Sequence, residues 1–255
     1  MELEKSVIGE LKVMDATGAT DVIGAMDAID TTEATDVKKI LEVKNLTKSF
    51  KEISGDDKIT VLKDFNLSLK QSEIIAITGE SGCGKSTLLQ IMGLLDEATL
   101  GEIIINGQNI AGLSEARLTK LRKNYLGFVY QYHYLLSDFT AVENVMMPSL
   151  ILGKNKKQAL ENARHILAEF NLENRLNHLP AKLSGGQQQR VAIARAIAHN
   201  PKIILADEPT GNLDPETASK IFAILVKIIK EKQLSMIFVT HNKDIAQNAD
   251  RQIEL

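Results

Sequence analysis

A nine-residue loop carries the strongest chemical pattern in this sequence. It consists of Gly79, Glu80, Ser81, Gly82, Cys83, Gly84, Lys85, Ser86 and Thr87. Glycines followed by a lysine and a hydroxyl residue at this spacing form a loop whose backbone N–H groups can point at phosphate oxygens. In such a loop Lys85 would reach the β- and γ-phosphates of a nucleotide, and the Ser86 hydroxyl would ligate Mg²⁺. The pattern therefore predicts binding of a nucleoside triphosphate.

The segments on either side of this phosphate loop support the same interpretation. Residues 74–78 are rich in Ile, which is typical of a buried parallel strand. Residues 85–95 are predicted to form a helix whose positive N-terminal end faces the phosphates. A chance glycine-rich turn would lack both neighbours. Cys83, the only cysteine, is interpreted as a small residue that fits the loop, and a single cysteine excludes an internal disulfide.

A second group of polar residues follows predicted apolar strands. Its members are Gln131, Asp207, Glu208 and His241. Ligands of an open α/β sheet bind at the edge formed by the carboxyl ends of its strands. We expect Asp207 to hold Mg²⁺ and Glu208 to act as general base on an attacking water. His241 could contact the γ-phosphate, and Gln131 could sense Mg²⁺ and the water. Each residue alone also fits a structural role, such as helix capping by an acid.

Two further regions could contact a nucleotide. One combines a capping-box pattern with a glycine pair at the start of a predicted helix, which makes a second anion-binding helix end. It consists of Ser184, Gly185, Gly186 and Gln187. The other is Phe50, an aromatic residue upstream of the phosphate loop. Its ring could stack on a nucleobase, or it could anchor a strand end in the core.

The chain is predicted to fold as one α/β domain after an acidic extension. The first 37 residues hold nine Asp or Glu against two lysines, a composition typical of a flexible segment. We expect residues 1–38 to be this extension and residues 39–255 to form the domain. Residues of about 135–190 are predicted to contribute a helical subdomain inserted into it.

Finer features of the domain are also predicted. Residues 47–57 are polar and contain a glycine, which favours a loop. Residues 58–63 and 65–69 are predicted to be two short antiparallel strands. A capping box at Thr140 predicts the start of a short helix that Pro148 is expected to close.

Composition restricts the cellular setting. No stretch approaches the roughly 18 apolar residues of a membrane span, and no basic-then-apolar start marks a secretion signal. With one cysteine, the sequence predicts a cytoplasmic protein without a membrane span of its own. The net charge is −3, with a small positive excess outside the acidic extension. That excess suits a polyphosphate ligand and does not indicate nucleic-acid binding.

Taken together, these motifs resemble those of the ATP-binding-cassette (ABC) ATPases. The resemblance covers about residues 39–255 and is most specific at residues 183–187, Leu-Ser-Gly-Gly-Gln. It implies a phosphate-loop, RecA-like α/β core with an antiparallel β subdomain and an inserted helical subdomain. It implies ATP and Mg²⁺ as ligands and a head-to-tail homodimer, in which each ATP lies between one phosphate loop and residues 184–187 of the other copy. Phe50 falls where these ATPases place the aromatic residue that stacks on adenine.

Two segments resemble a narrower group. Residues 127–148 and 206–214 are similar to the ATPases of bacterial lipoprotein-releasing systems. The resemblance implies an ATP-hydrolysing subunit on the cytoplasmic face of the inner membrane, working with separate membrane-spanning permease subunits. Alternatives are an efflux ATPase like MacB or a cell-division ATPase like FtsE. Apolar residues after Gln131 could receive a helix of a membrane subunit or pack inside the helical subdomain. They are Tyr132, Tyr134, Leu135, Met146 and Met147.

Overall fold

The computed structural model describes residues 38–51 and 58–255. Residues 1–37 of the predicted extension and residues 52–57 of the predicted loop lie outside the described residues. The strands are β1 (Lys39–Lys51), β2 (Lys58–Lys70), β3 (Ile74–Thr78), β4 (Leu100–Ile105), β5 (Gln108–Asn109), β6 (Leu126–Val129), β7 (Ile203–Asp207), β8 (Ser235–Val239) and β9 (Arg251–Glu254). The helices are α1 (Lys85–Met92), α2 (Glu115–Tyr125), α3 (Ala141–Ile151), α4 (Lys156–Glu169), α5 (Gly185–Ile197), α6 (Pro215–Glu231) and α7 (Lys243–Ala246).

Five parallel strands form the central sheet, in the order β6-β7-β8-β3-β9. The inner strands β7, β8 and β3 are buried on both faces, which explains their continuous apolar runs. Alternate residues enter different cores. Ile74 and Ala76 pack with residues of α3 to α6, whereas Ile75 and Ile77 pack with α1 and the antiparallel sheet. The polar residues that follow these strands therefore meet at one edge of the sheet.

The antiparallel sheet has the order β2-β1-β4-β5 and corrects two predictions. The predicted loop over residues 47–57 is wrong at its start, because β1 continues to Lys51. The two strands predicted over residues 58–63 and 65–69 are one strand. Asp64 adopts a left-handed conformation with φ of 49°, and its N–H donates to Thr47 Oγ1 at 3.2 Å. The chain therefore passes through a bulge at this point and does not turn.

Helices α3, α4 and α5 pack against one another and lie between β6 and β7 in the sequence. The limits of a helical subdomain stay a prediction. The capping box at the start of α3 is confirmed, since Thr140 and Glu143 each accept the other's backbone N–H. Pro148 does not close this helix but lies within it. A proline removes only one backbone donor, and the helix continues until the Leu152 N–H donates to the Pro148 carbonyl at 3.2 Å.

The longest described helix is α6, with 17 residues. Its start is the one expected from the sequence, because Asp214 accepts the Thr217 N–H at 3.0 Å and Pro215 is the first helical residue. Its apolar face packs on the parallel sheet, where the rings of Phe222 and Phe238 lie 4.9 Å apart. None of the helices in the described part of the chain, α6 included, has the length and apolarity to cross a bilayer.

Candidate nucleotide-binding site

A cleft of about 460 Å³ opens at the carboxyl edge of the parallel sheet. Six residues of the phosphate loop line it: Ser81, Gly82, Gly84, Lys85, Ser86 and Thr87. The four polar residues predicted at strand ends also line it: Gln131, Asp207, Glu208 and His241. The fold therefore brings both predicted groups together in one place, although 155 positions separate Ser86 from His241 in the sequence.

Lys85 is bent back onto its own loop. Its ammonium group donates to the carbonyl of Gly79 at 3.0 Å and of Glu80 at 2.5 Å, and lies 3.6 Å from Sγ of Cys83. These three predicted nucleotide-binding residues therefore contact the lysine and do not line the cleft. Lys85 is only 9% exposed. A phosphate would offer this desolvated cation an ionic acceptor, which forms a stronger hydrogen bond than a carbonyl.

Gly84 shows why the loop requires glycine. Its φ is 100°, and a Cβ atom there would lie 2.7 Å from Val61 Cγ1. Gly84 is also the N-cap of α1, and no side chain caps this helix. The first N–H groups of α1, those of Lys85 and Ser86, therefore lie at the cleft without a side-chain acceptor, which suits an anionic ligand.

Asp207 and Ser86 form the part of the cleft suited to a metal ion. Burial raises the pKa of the Asp207 carboxyl group, and a hydrogen bond with the Ser86 side chain opposes the rise. The charge of Glu208 raises this pKa further, and that of Lys85 lowers it. An oxygen-only donor set fits Mg²⁺, which usually takes one or two carboxylates together with substrate phosphates and water. No cluster of three or more His, Cys, Asp or Glu in the described residues could hold a metal alone, so phosphate and water oxygens would complete this site.

Glu208 and His241 are hydrogen-bonded to each other. Glu208 Oε1 lies 2.6 Å from His241 Nδ1 and accepts the backbone N–H of His241 at 3.1 Å. The Glu208 side chain is 14% exposed and that of His241 is 70% exposed. Glu208 has a φ of 45°, which is uncommon for a residue other than glycine, and its own N–H donates to the Val239 carbonyl at 3.1 Å. These contacts hold the carboxylate at the cleft wall.

Gln131 is positioned by Asn212, a residue absent from the predicted site. Asn212 Nδ2 donates to the Gln131 carbonyl at 2.9 Å, and Gln131 Nε2 donates to Asn212 Oδ1 at 3.2 Å. Gly211 keeps this corner open, because a Cβ atom there would lie 3.2 Å from Glu208 Cβ and 3.4 Å from Gln131 Nε2. Because 81 positions separate these two residues, local sequence gives no signal for this contact.

Two apolar residues of the cleft carry no sequence signal. Val239 ends β8, and Val61 comes from β2 in the other sheet. Val61 reaches the cleft only because it packs against Gly84 of the phosphate loop. Its place depends on the contact between the two sheets, which local sequence does not encode.

Phe50 lies near the end of β1 and is not among the described residues that line the cleft. Its side chain is 44% exposed, so it does not anchor the strand in the core. Lys48 Nζ lies 4.8 Å from the centre of its ring, a cation–π distance. The ring therefore offers an exposed aromatic surface, and its contact with adenine stays a prediction.

The helix end predicted to bind a second anion is capped by its own side chains and lies apart from the cleft. Ser184 Oγ accepts the Gln187 N–H at 3.3 Å, and Gln187 Oε1 accepts the Ser184 N–H at 3.0 Å, which confirms the predicted capping box at the start of α5. Gly186 packs closely on α6, since a Cβ atom there would lie 3.1 Å from Thr217 Cγ2. Residues 184–187 are not among the residues that line the cleft of the same chain.

Residues 132–139, here named the aromatic loop, follow Gln131 and expose large apolar side chains. Tyr132 is 64% exposed and Tyr134 is 66% exposed. Met146, one of the five residues considered for docking, is instead buried in the core at 4% exposure. The two tyrosines are therefore exposed and available for docking, whereas Met146 packs inside the core.

The aromatic loop is fastened to α5. The Arg195 guanidinium donates to the carbonyl of Tyr134 at 2.7 Å and to that of His133 at 2.9 Å. Burial lowers the pKa of Arg195. Edge-to-face contacts join the ring of Tyr134 to those of Tyr130 and Tyr132, at centroid distances of 5.4 and 6.4 Å. The loop is therefore held in one shape although its tyrosines are exposed.

Comparisons with known proteins identify the family of this chain. Residues 62–211 match the family described as ABC transporter. The lipoprotein-releasing system ATP-binding protein LolD of Rickettsia bellii is 50% identical over 217 residues, which are 85% of this chain and 95% of that protein. LolD 1 of Rhodospirillum rubrum is 48% identical over 215 residues, 84% of this chain and 94% of that protein.

Solved structures with the same fold include that of MJ0796, described as a dimeric bacterial ABC transporter cassette. It has a TM-score of 0.77 and 43% identity, and the match covers 84% of this chain and 94% of that one. A second structure of MJ0796, a dimer in a post-hydrolysis state bound to ADP and Pi, matches with the same TM-score of 0.77. These matches confirm the predicted phosphate-loop α/β fold.

Proposed function

This chain belongs to the family of ABC transporter ATPases, and from that premise we propose that it is the ATP-hydrolysing subunit of a complex that releases lipoproteins from the inner membrane for transfer to the outer membrane. The observation that carries the proposal is the identity of 48–50% to LolD proteins over 84–85% of the chain. Those relatives are named as ATP-binding proteins of lipoprotein-releasing systems.

In this function the phosphate loop binds the triphosphate of ATP. The Lys85 ammonium leaves the carbonyls of its own loop and pairs with phosphate oxygens, while the uncapped N–H groups of α1 donate to others. Ser86, Asp207 and Gln131 would hold Mg²⁺, whose charge would neutralise that of the phosphates. The exposed ring of Phe50 stacks on adenine.

Glu208 is the general base of hydrolysis. Its Oε1 is engaged by both the backbone and Nδ1 of His241, which leaves Oε2 to take a proton from the attacking water. His241 then presents its other ring nitrogen to the γ-phosphate. The hydrogen bond fixes the orientation of the Glu208 and His241 side chains relative to each other. The positions of the general base and of the γ-phosphate contact would therefore depend on each other.

A complete ATP site requires two copies of the chain. The start of α5 has two glycines and a positive helix end but lies apart from the cleft of its own chain. In a head-to-tail dimer, residues 184–187 of one copy face the ATP held by the phosphate loop of the other. The dimeric form of the MJ0796 cassette supports this arrangement.

The aromatic loop is the docking surface for separate membrane-spanning permease subunits. Its exposed tyrosines suit the apolar face of a partner helix. The hydrogen bonds from Arg195 hold the loop in place while the tyrosines stay exposed. The chain would therefore act as a peripheral subunit on the cytoplasmic face of the inner membrane.

A release assay tests this function. Membranes that contain the permease partners and this chain should transfer a lipoprotein to a soluble acceptor when ATP is added. Glu208→Gln should bind ATP and the membrane partners yet release no lipoprotein. If the wild-type complex hydrolyses ATP while the lipoprotein stays in the membrane, the proposed substrate is wrong although the ATPase assignment stands.

A further inference from the structure

Acidic residues are absent from three long segments of this otherwise acidic chain. Residues 116–137, 144–160 and 174–206 hold twelve Lys or Arg and no Asp or Glu. The whole chain has 33 acidic and 30 basic residues. Charges of both signs are normally mixed on a protein surface, so a local absence of one sign creates a field that selects partners of the opposite sign.

Two contacts bring the first and third of these segments together. The Lys202 N–H, just before β7, donates to the carbonyl of Tyr125 at the end of α2, with a distance of 2.8 Å. The His199 Nε2 atom lies 3.0 Å from the carbonyl of Leu126, the first residue of β6. Both contacts lie where β6 and β7 begin, at the amino edge of the parallel sheet.

The second segment joins them at the same edge. Ser149 of α3 and Asn162 of α4 both donate to the carbonyl of Ala198, at 3.2 and 2.7 Å. The turn between α3 and α4 therefore lies beside the end of α5. Lys154 in that turn is close enough to act on His199: burial lowers the pKa of His199, the bond to Leu126 raises it, and the Lys154 charge lowers it.

Each of the three segments has exposed lysines within a few residues of these contacts. We name as the basic patch Lys123, Lys154, Lys156, Lys157 and Lys202. None of them forms a salt bridge with another residue in the ranges 38–51 and 58–255. Ile151, which precedes three of these lysines, is 61% exposed.

A bound nucleotide does not account for the basic patch. Lys202 precedes β7 and Asp207 ends it. At about 3.3 Å per residue, five strand residues separate the two by roughly 16 Å, which exceeds the screening length of about 8 Å at physiological salt. The basic patch and the cleft therefore lie at opposite edges of the same sheet.

The basic patch adjoins the surface assigned to the permease subunits. Arg195 holds the aromatic loop, and His199 at the basic patch follows it after four residues, a helical rise of about 6 Å. A membrane subunit docked on the aromatic loop would bring a bilayer close to this flank of the molecule.

We propose that the basic patch binds the anionic phospholipid surface of the membrane, with the Ile151 side chain inserted among the headgroups. Clustered lysines next to an exposed apolar side chain are the composition that binds such a surface, by charge attraction and apolar burial together. The choice of a membrane as partner rests on the proposed function, whereas the charge and its position do not. The contact would hold the chain at the bilayer beside its permease subunits.

The test is co-sedimentation of the isolated full-length chain with vesicles. Wild type should bind vesicles of equal parts phosphatidylcholine and phosphatidylglycerol, and should not bind pure phosphatidylcholine vesicles. Lys154→Gln, Lys156→Gln and Lys157→Gln together should weaken binding on the order of 100-fold, since each lysine near a surface contributes about 1 kcal/mol. A matched variant with Lys220→Gln, Lys227→Gln and Lys243→Gln removes three exposed lysines elsewhere and should bind within about threefold of wild type.

Equal losses in the two variants would overturn the proposal, because net charge and not the basic patch would then control binding. Equal wild-type binding to both kinds of vesicle, or to neither, would also overturn it. So would tighter binding of the basic patch to RNA or to an acidic peptide than to the anionic vesicles. ATP hydrolysis and lipoprotein release are measured separately, so a chain that binds anionic vesicles but releases no lipoprotein contradicts only the proposed function.

Discussion

The phosphate loop and the start of α5 are both glycine-containing helix starts, yet they satisfy their backbone N–H groups differently. At α1 the N-cap is Gly84, in a left-handed conformation and without a side-chain cap. At α5 the N-cap is Ser184, which exchanges hydrogen bonds with Gln187. The first helix start thus lacks the internal partners that the second has.

This difference indicates how each helix start depends on a ligand. Lys85 of the phosphate loop donates to carbonyl oxygens of its own backbone, and in the proposed function phosphate binding would exchange those contacts for ionic ones. The start of α5 has its shape before any ligand arrives, because its capping box is complete within the chain. In the proposed dimer, a deformable loop on one copy would therefore meet a preformed surface on the other.

The largest effect is expected for Glu208→Gln, which tests whether ATP binding at the phosphate loop can be separated from ATP hydrolysis. Glu208→Gln should lower the rate of ATP hydrolysis by about 10²- to 10⁴-fold, because the amide cannot accept the proton of water. ATP affinity should stay near that of wild type, and a stable dimer should accumulate with ATP. Steady-state hydrolysis and gel filtration measure the two properties, with Glu216→Gln as an exposed control. Wild-type turnover in Glu208→Gln would exclude it as general base.

Lys85→Ala tests the phosphate loop itself. Loss of a charged donor to phosphate should weaken ATP binding to the isolated chain by about 10- to 100-fold. Fluorescent-nucleotide titration measures the affinity, and Lys220→Ala removes an exposed lysine as control. Unchanged affinity in Lys85→Ala would contradict the assignment of the loop as the triphosphate site.

Ser184→Ala tests the opposite side of the comparison. Removal of this N-cap should cost about 0.5–2 kcal/mol of unfolding free energy, or roughly 2–4 °C in Tm per kcal/mol. ATP affinity of the isolated chain should not change, because Ser184 does not line its own cleft. Thermal melting and nucleotide titration are compared with Ser219→Ala, an exposed serine of α6. If Ser184→Ala lost as much ATP affinity as Lys85→Ala, the start of α5 would contact ATP within the same chain, and the proposed difference between the two helix starts would be wrong.

The smallest expected effect concerns the pH dependence of stability. A raised pKa means that folded Asp207 binds its proton more tightly than the unfolded chain does, so ionisation destabilises the fold as pH rises through the folded pKa. Asp207→Asn removes this penalty and should raise Tm at neutral pH. The gain should fade as pH falls from the raised folded pKa towards 3.8, the ordinary value for this carboxyl group, because below both pKa values Asp207 is neutral in both states. Ser219→Ala, an exposed change at a residue that does not titrate in this range, should show no such pH-dependent gain.

The positions of helix caps and of residues at strand ends could be predicted from the sequence. The two capping boxes and the residues after β6, β7 and β8 lie where the sequence places them, because caps and strand ends depend on short-range spacing. Pro148 was misjudged because one missing donor costs a helix less than its packing supplies. The prediction of two strands over residues 58–63 and 65–69 is wrong because local sequence does not distinguish a bulge at Asp64 from a turn.

Other site residues depended on tertiary structure and could not be predicted. Val61 lines the cleft through the contact of the antiparallel sheet with Gly84. Asn212 reaches Gln131 across 81 residues of sequence. Met146 is buried because α3 packs against α4 and α5, whereas Tyr134 is exposed in a loop whose carbonyls bind Arg195. The basic patch also depended on tertiary structure, because its lysines come from three segments that only the fold brings together.

Helix α5 has a mechanical consequence. Its 13 residues form a stiff rod of about 20 Å, with Ser184 at one tip and Arg195 in the last turn. The Arg195 guanidinium donates to two carbonyls of the aromatic loop, so a tilt or rotation of α5 would move that loop as well. In the proposed dimer, a movement of Ser184 caused by a nucleotide would therefore be transmitted along α5 to the aromatic loop. Helix α5 would thus connect the ATP site with the surface assigned to the permease subunits.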